Sequence, residues 1–485
     1  MAEKEAAEKI MSDSNGGTLF GALHSYGESD MLPMHMPGHK RNTSDPVLNA
    51  LGAGYDITEV HGFDDLHHPK GILLEISKRA ASLWGSMESR LLVGGSTVGI
   101  LSAVYAACTD GCKIIMARNC HRSVYGAVEL CGSEPVYVMP DCKENLPVNG
   151  SVDPVSVKNA IAENPDAALV VITSPTYEGV ISDVAEIADA CHKAGIPLLV
   201  DEAHGAHLGL YGVFPDGAVT SGADIVVQSL HKTLQSLTQT GVMHICSDRV
   251  STENIDAALD IFQTSSPSYL LMASIDNCIK LAGKKCLETW RRNLYSIVED
   301  FSALENLSVL NIRDFYNLDP SKITLLTDRV NITGARLSGL LRSEYHIETE
   351  MCAGEYIVAM TGAGDTADSL SRFSKAVLDI DRKISARNAR DRSFNVRNTK
   401  RYALPRRVMS VRQAKAAKTV LTDAESAIGS VCAEYVYAYP PGIPVLVPGE
   451  QIDVSTVKLL ADMNTNGVEL HSRTGQAPVR FLTVI

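Results

Sequence analysis

The chain has 485 residues, 45% of them hydrophobic, and a net charge of −13. That is enough apolar material for a large buried core and too acidic a balance for a general nucleic-acid or anionic-membrane role. Eleven cysteines, odd in number and irregularly spaced, argue for reduced thiols over a disulfide framework; the charged start Met1-Ala2-Glu3-Lys4-Glu5 and the lack of a long apolar run point to a cytoplasmic, non-membrane protein.

Residues 1–75 read as a charged helix followed by a Gly-, His- and Pro-rich arm. The arm's His35, His39, His61, His67 and His68 lack the H-E-x-x-H or paired C-x-x-C spacing of a zinc site, so no metal is expected. From 76 to 310, apolar strands alternate with helical segments in the βαβ rhythm of a mostly parallel sheet. Leu91-Leu92-Val93-Gly94-Gly95-Ser96-Thr97, followed by a helical pattern over 101–108, is a strand, a glycine turn and a helix start. Its unpaired N–H groups and two hydroxyls suit a phosphate, although an ordinary capped turn has the same pattern. With no Walker loop and no G-x-G-x-x-G fingerprint, ATP and NAD are disfavoured.

A short strand over 113–117 leads to His121, and a turn-rich loop occupies 140–154. Residues 167–173 form a continuous apolar run, as in a strand buried on both faces, and 183–193 a helix stopped at Gly195. Residues 196–200 then run into Asp201, and 223–228 into Ser229, with Lys232 three residues beyond. Both groups thus follow a strand's carboxyl end, the edge where open α/β sheets bind ligands. A lysine can form an imine with an aldehyde cofactor, and a carboxylate can keep a pyridine nitrogen protonated. Singly, Asp201 reads as a helix cap and Lys232 as a surface charge; together, after a phosphate turn, they read as a pyridoxal-phosphate site. Residues 311–485 read as a smaller α+β part, with a helical stretch over 290–304 before it, strands near 322–327 and 356–361, and a helix over 334–344. The basic stretch 382–407, with Asp391 its one internal acid, reads as a solvated or subunit-contact surface.

Several motifs recur in a familiar order. They are Met36-Pro37-Gly38-His39-Lys40, Phe63-Asp64-Asp65-Leu66-His67, Val93-Gly94-Gly95-Ser96-Thr97, Ala117-Arg118-Asn119-Cys120-His121, Ser174-Pro175-Thr176-Tyr177, Asp201-Glu202-Ala203-His204-Gly205, Ser229-Leu230-His231-Lys232-Thr233, Ala438-Tyr439-Pro440-Pro441-Gly442 and Pro448-Gly449-Glu450. In these the chain resembles the Orn/Lys/Arg decarboxylase family of fold-type-I pyridoxal-phosphate enzymes, in particular its shorter, biosynthetic-type members. The resemblance implies a mostly parallel sheet with helices on both faces, and pyridoxal 5'-phosphate as cofactor. Lys232 would be the Schiff-base lysine, Asp201 the partner of the ring nitrogen and His121 the imidazole on the ring face. Ser96, Thr97, Ser229 and His231 would hold the phosphate. His204 would help hold the ring or the substrate carboxylate, or merely orient Asp201. Thr264 and Ser265 lie in a loop that the family lends to the neighbouring subunit, which implies a homodimer or higher oligomer with its site at the interface. Gly94 departs from the asparagine common there, an expected loosening of contacts.

The implied reaction is decarboxylation of a basic amino acid in polyamine-related metabolism, arginine first, then lysine or ornithine. Asp64, Asp65, Glu350 and Glu434 are the acids nearest the motifs, where a cationic side chain needs a carboxylate. A fold-type-I aminotransferase or lyase shares the lysine and aspartate, and a silent cofactor-binding paralogue is a further alternative.

Overall fold

The computed structural model describes residues 18–142, 146–311, 315–385, 404–439, 442–465 and 467–485. The opening charged helix, most of the basic stretch 382–407, residues 143–145 of the turn-rich loop, and Pro440-Pro441 lie outside the described residues. The chain forms two compact units, each built from two stretches: 1–107 with 199–288, and 108–198 with 289–485. The strands of the α/β part, in chain order, are β1 (Glu88–Leu92), β2 (Lys113–Ala117), β3 (Glu134–Val138), β4 (Ala167–Thr173), β5 (Val180–Ile181), β6 (Leu198–Asp201), β7 (Ile225–Ser229) and β8 (Gly241–Ile245).

In the first unit the strand order is β1-β8-β7-β6. β6 and β7 are parallel, with Asp201 opposite Val227, while β8 runs antiparallel to both of its neighbours. Every residue of β6, β7 and β8 is buried, which is why these segments are apolar runs and do not alternate. The polar groups among them form one chain. Gln228 Nε2 donates to Glu202 Oε2 at 2.7 Å, and Glu202 Oε1 accepts from Ala218 N at 2.7 Å. His244 Nε2 lies 3.1 Å from Gln228 Oε1 and its Nδ1 2.9 Å from Ser89 Oγ. Burial pulls the His244 imidazole down to about 3, so it is neutral, donating to Gln228 and accepting from Ser89. All four strands are therefore linked by hydrogen-bonded side chains of β1, β7 and β8 and of Glu202, the residue after β6.

The helix Gly95–Ala107 follows β1 and starts at the glycine turn, beside the expected Ser96-Thr97 helix start. Gly, Ser and Thr favour helices weakly, but here a tertiary bond decides: Gly95, at φ +71°, donates its N–H to Gln239 O at 2.9 Å. Gly99 lets the helix settle on the strands, since a Cβ there would lie 2.7 Å from Leu92 Cδ1 and 2.8 Å from Val227 Cγ1.

In the second unit the order is β4-β2-β3, all parallel. The helix Val184–Lys193 starts at Asp183, whose side chain accepts from Glu186 N, and the chain leaves it through Gly195 at φ +73°. Further on, Lys322–Leu326 pairs antiparallel with Tyr356–Met360, and the helix Gly334–Tyr345 lies between them in sequence. These are the α+β elements expected there. The α/β class with a mostly parallel sheet is thus the class observed.

Gly99→Val forces two branched methyls into the space held by Leu92 and Val227. It is expected to cost about 1–3 kcal/mol, measurable as a lower urea midpoint with an unchanged slope.

Candidate active site

The parallel pairing of β6 and β7 brings the two sequence-predicted groups to one end of the first unit's sheet. Asp201 closes β6, β7 ends at Ser229, and the short helix Leu230–Thr233 sets Lys232 on its first turn. Lys232 Nζ lies 3.0 Å from His204 Nε2, so His204 bonds the lysine and is not reserved for Asp201. Asp201 is buried, and its Oδ1 accepts from Ala203 N at 3.2 Å. Burial raises its carboxyl above the ordinary range; the nearby Lys232 charge and the Ala203 N–H oppose this without cancelling it. A buried acid in that state is stabilised by one more cationic donor, and the protonated nitrogen of a pyridine ring is such a donor.

Two of the phosphate candidates meet. Ser96 Oγ, in the first turn of the helix Gly95–Ala107, lies 2.6 Å from Ser229 Oγ, and Thr97 beside it is exposed. A helix N-terminus with two adjoining hydroxyls suits a phosphate dianion. His231 Nδ1 donates to Thr240 O at 2.9 Å; burial holds its imidazole below the ordinary value, the Thr240 carbonyl works the other way, and the Lys232 charge adds to the lowering. Gln239 Nε2 donates to Val93 O at 2.6 Å, so the loop after Lys232 braces the glycine turn from two sides. No spacing rule marks Gln239 or Thr240, and sequence reading missed both; only the positive φ of Gln239, +81°, shows the turn's strain. The residues present therefore fit pyridoxal phosphate.

Three more predicted residues belong to other segments of the chain. Thr264 and Ser265 are exposed and follow the buried Gln263, which accepts from Val93 N at 3.0 Å. His121 belongs to the second unit, where it caps the helix Arg122–Cys131 by accepting from Ser123 N at 3.2 Å. Arg122 N beside it donates to Gly442 O at 3.1 Å. Arg118 secures the same segment: its guanidinium donates to Pro444 O at 2.9 Å and Val445 O at 3.1 Å, and pairs with Glu450 at 3.3 Å, both side chains being buried. Among the four acids near the motifs, Asp64 accepts from the backbone N–H groups of Asp65, Lys70, Gly71 and Leu73. Glu434 accepts from Thr474 N and Leu482 N. Those two carboxylates are committed to the backbone. Glu350 accepts from Tyr177 Oη, and Asp65 from His67 N. Among the described residues there is no group of three or more His, Cys, Asp or Glu side chains able to hold a metal, and no helix is long and apolar enough to cross a membrane.

This fold and cofactor chemistry define a pyridoxal-phosphate-dependent α/β enzyme. The model of the Orn/Lys/Arg decarboxylase major domain matches residues 17–324, and that of the family's C-terminal domain matches 394–466. The chain belongs to the Orn/Lys/Arg decarboxylase family and is a decarboxylase of basic amino acids. It is 34% identical, over 91% of its length and 93% of the relative's, to an uncharacterized Bacillus subtilis protein, YaaO. Over 94% of its length and 95% of the relative's it is 30% identical to an arginine decarboxylase of Halalkalibacterium halodurans. In fold it is similar to the Escherichia coli constitutive lysine decarboxylase, with a TM-score of 0.80 at 18% identity, covering 98% of this chain and 82% of that one.

Because the Asp201 carboxyl is raised in the folded state, its ionisation works against folding once the pH exceeds about 4, where the unfolded chain releases that proton. Asp201→Asn is therefore expected to raise the melting temperature of the cofactor-free protein at pH 8 by roughly 2 °C while lowering turnover at least ~100-fold. Calorimetry and a carbon dioxide assay check the two halves.

Proposed function

We propose that the chain converts L-arginine to agmatine and carbon dioxide, with lysine and ornithine as slower substrates, as a cytoplasmic homodimer serving polyamine-related metabolism. The observation that carries the active-site assignment is the delivery of Asp201 and the Lys232–His204 pair from neighbouring parallel strands. The choice of arginine is supported by relatives of nearly full length: the Halalkalibacterium halodurans protein aligned over 94% of this chain is named an arginine decarboxylase, whereas the Pseudomonas aeruginosa relative named a lysine decarboxylase aligns over 53% of it.

Pyridoxal phosphate, when bound, supplies an aldehyde for the substrate amine and a protonated ring that takes up the electron pair left by departing carbon dioxide. The chain's own residues do the rest. Lys232 Nζ is the attachment point, and His204 Nε2, within hydrogen-bond reach of it, exchanges the lysine's proton and so sets when that amine is nucleophilic. Asp201 would hold the proton on the ring nitrogen. Ser96, Thr97, Ser229 and His231 would bind the phosphate, and His121 would be the imidazole for the ring face. Thr264 and Ser265 complete the neighbouring subunit's site. In this reading an arm over 1–75 and an α+β part over 311–485 flank a cofactor-binding domain over 76–310.

Lys232→Ala is expected to abolish both the visible absorption band of the purified protein and carbon dioxide release. Wild-type kcat/KM should be at least ~10-fold higher for arginine than for lysine or ornithine, a preference of about 1.4 kcal/mol. A lysine preference would overturn the substrate assignment, and a visible band retained without Lys232 would overturn the site.

A further inference from the structure

The arm motif that ends in His67 does more than turn the chain. The His67 ring lies between Asp260, on the helix Thr252–Phe262, and the carbonyl of Thr264 just beyond it. Its Nδ1 is 2.7 Å from Asp260 Oδ1 and its Nε2 is 2.9 Å from Thr264 O. Neither oxygen carries a hydrogen near neutral pH, so both ring nitrogens must donate, and only the imidazolium can do that. Two other arm histidines show the contrast. His39 accepts at Nδ1 from Arg41 N and offers only Nε2 to Asp56. His35 meets Tyr26 Oη at Nε2 and offers only Nδ1 to Met36 O. Each of those needs a single ring proton.

Further hydrogen bonds surround this contact. His67 N donates to Asp65 Oδ1 at 2.9 Å within the arm turn, and Tyr269 Oη donates to Asp64 O at 2.7 Å, so with the His67 ring contacts the turn is tied to both sides of the 263–268 segment. Gln263 anchors that segment to the end of β1, and Ser266 N closes a local turn on Thr264 Oγ1 at 3.2 Å. Thr264, Ser265 and Ser266 are left exposed on a loop held at its root by a charged clamp.

We infer that His67, in its cationic form, is a positioning residue that presents the hydroxyls of the 264–266 loop to the cofactor phosphate bound by the neighbouring subunit. This rests on the proposed role of Thr264 and Ser265. The charged groups facing the ring are Asp260 from the helix and Asp65 from its own turn, both anionic. Burial lowers the imidazole's affinity for its proton, but the Thr264 carbonyl and the Asp260 and Asp65 carboxylates raise it further, so His67 titrates above its ordinary value. The sign follows: the clamp is complete below about pH 6.5 and is lost as the pH rises through the raised value.

The test is the pyridoxal-phosphate dissociation constant of the full chain, read from the visible band at pH 6.5 and pH 9. Four proteins are compared: wild type, His67→Gln, Asp260→Asn and the double variant Thr264→Ala/Ser265→Ala. The double variant should bind about tenfold more weakly at both pH values, and His67→Gln about tenfold more weakly at pH 6.5 while converging on wild type at pH 9. Asp260→Asn, which keeps the acceptor but removes its charge, should bring the wild-type transition to lower pH. If the double variant binds as wild type does, the loop is not a phosphate ligand and the underlying reading fails. If the double variant is weakened and His67→Gln is not, or is weakened equally at both pH values, the clamp is overturned and the loop's role stands.

Discussion

The parallel register of β6 against β7 is the constraint on which the rest depends. Pairing Asp201 with Val227 means that the acid ends its strand two residues before the neighbouring strand ends at Ser229, so the short helix carrying Lys232 begins at the same edge. A slip of one residue would turn Asp201 to the other face of the sheet. The register is supported by the Gln228–Glu202 bond across the β6–β7 pair, which continues through His244 to Ser89. Leaving any member unsatisfied in that apolar setting costs about 1–3 kcal/mol, a strong selection among pairings that hydrophobicity alone would not distinguish.

Much of this architecture is legible in the amino-acid order, for definite reasons. The strand ending at Asp201 and the one ending at Ser229 announce themselves because burial on both faces demands unbroken apolar runs. The helix after Asp183 is readable because cap, amphipathic repeat and terminal glycine are all local. The start of the helix over Gly95–Ala107 is readable from the glycine turn and Ser96-Thr97, but the bond from Gly95 N to Gln239 O that holds it joins residues more than a hundred apart and leaves no local mark. The commitments of Asp64 and Glu434 are invisible for a related reason: a carboxylate that gathers backbone N–H groups looks, as a letter, like one that faces a substrate. Function-bearing side chains stand out by chemistry; the groups that hold them stand out only in space.

Charge burial links the two halves of the electrostatics. Asp201 is kept from water with less compensation than a carboxylate requires, which prepares it for a cationic ligand group. Arg118 is the opposite case, a cation fully supplied with acceptors: two carbonyls and Glu450, with the Tyr137 ring 4.9 Å from its Cζ. The first is poised for a ligand and the second is a closed structural knot. Such pairs add little net stability while intact and cost about 3–5 kcal/mol when one member is removed, so they specify an arrangement more than they strengthen it.

That knot has a consequence for biosynthesis. Arg118 leaves the ribosome 332 residues ahead of Glu450, its carboxylate partner. Until Glu450 has been translated as well, the guanidinium cannot be enclosed with its carboxylate partner. The packing around Arg118 is therefore completed only after 332 further residues have been made, and a chain cut between the two keeps the upstream motifs but leaves the guanidinium without its carboxylate.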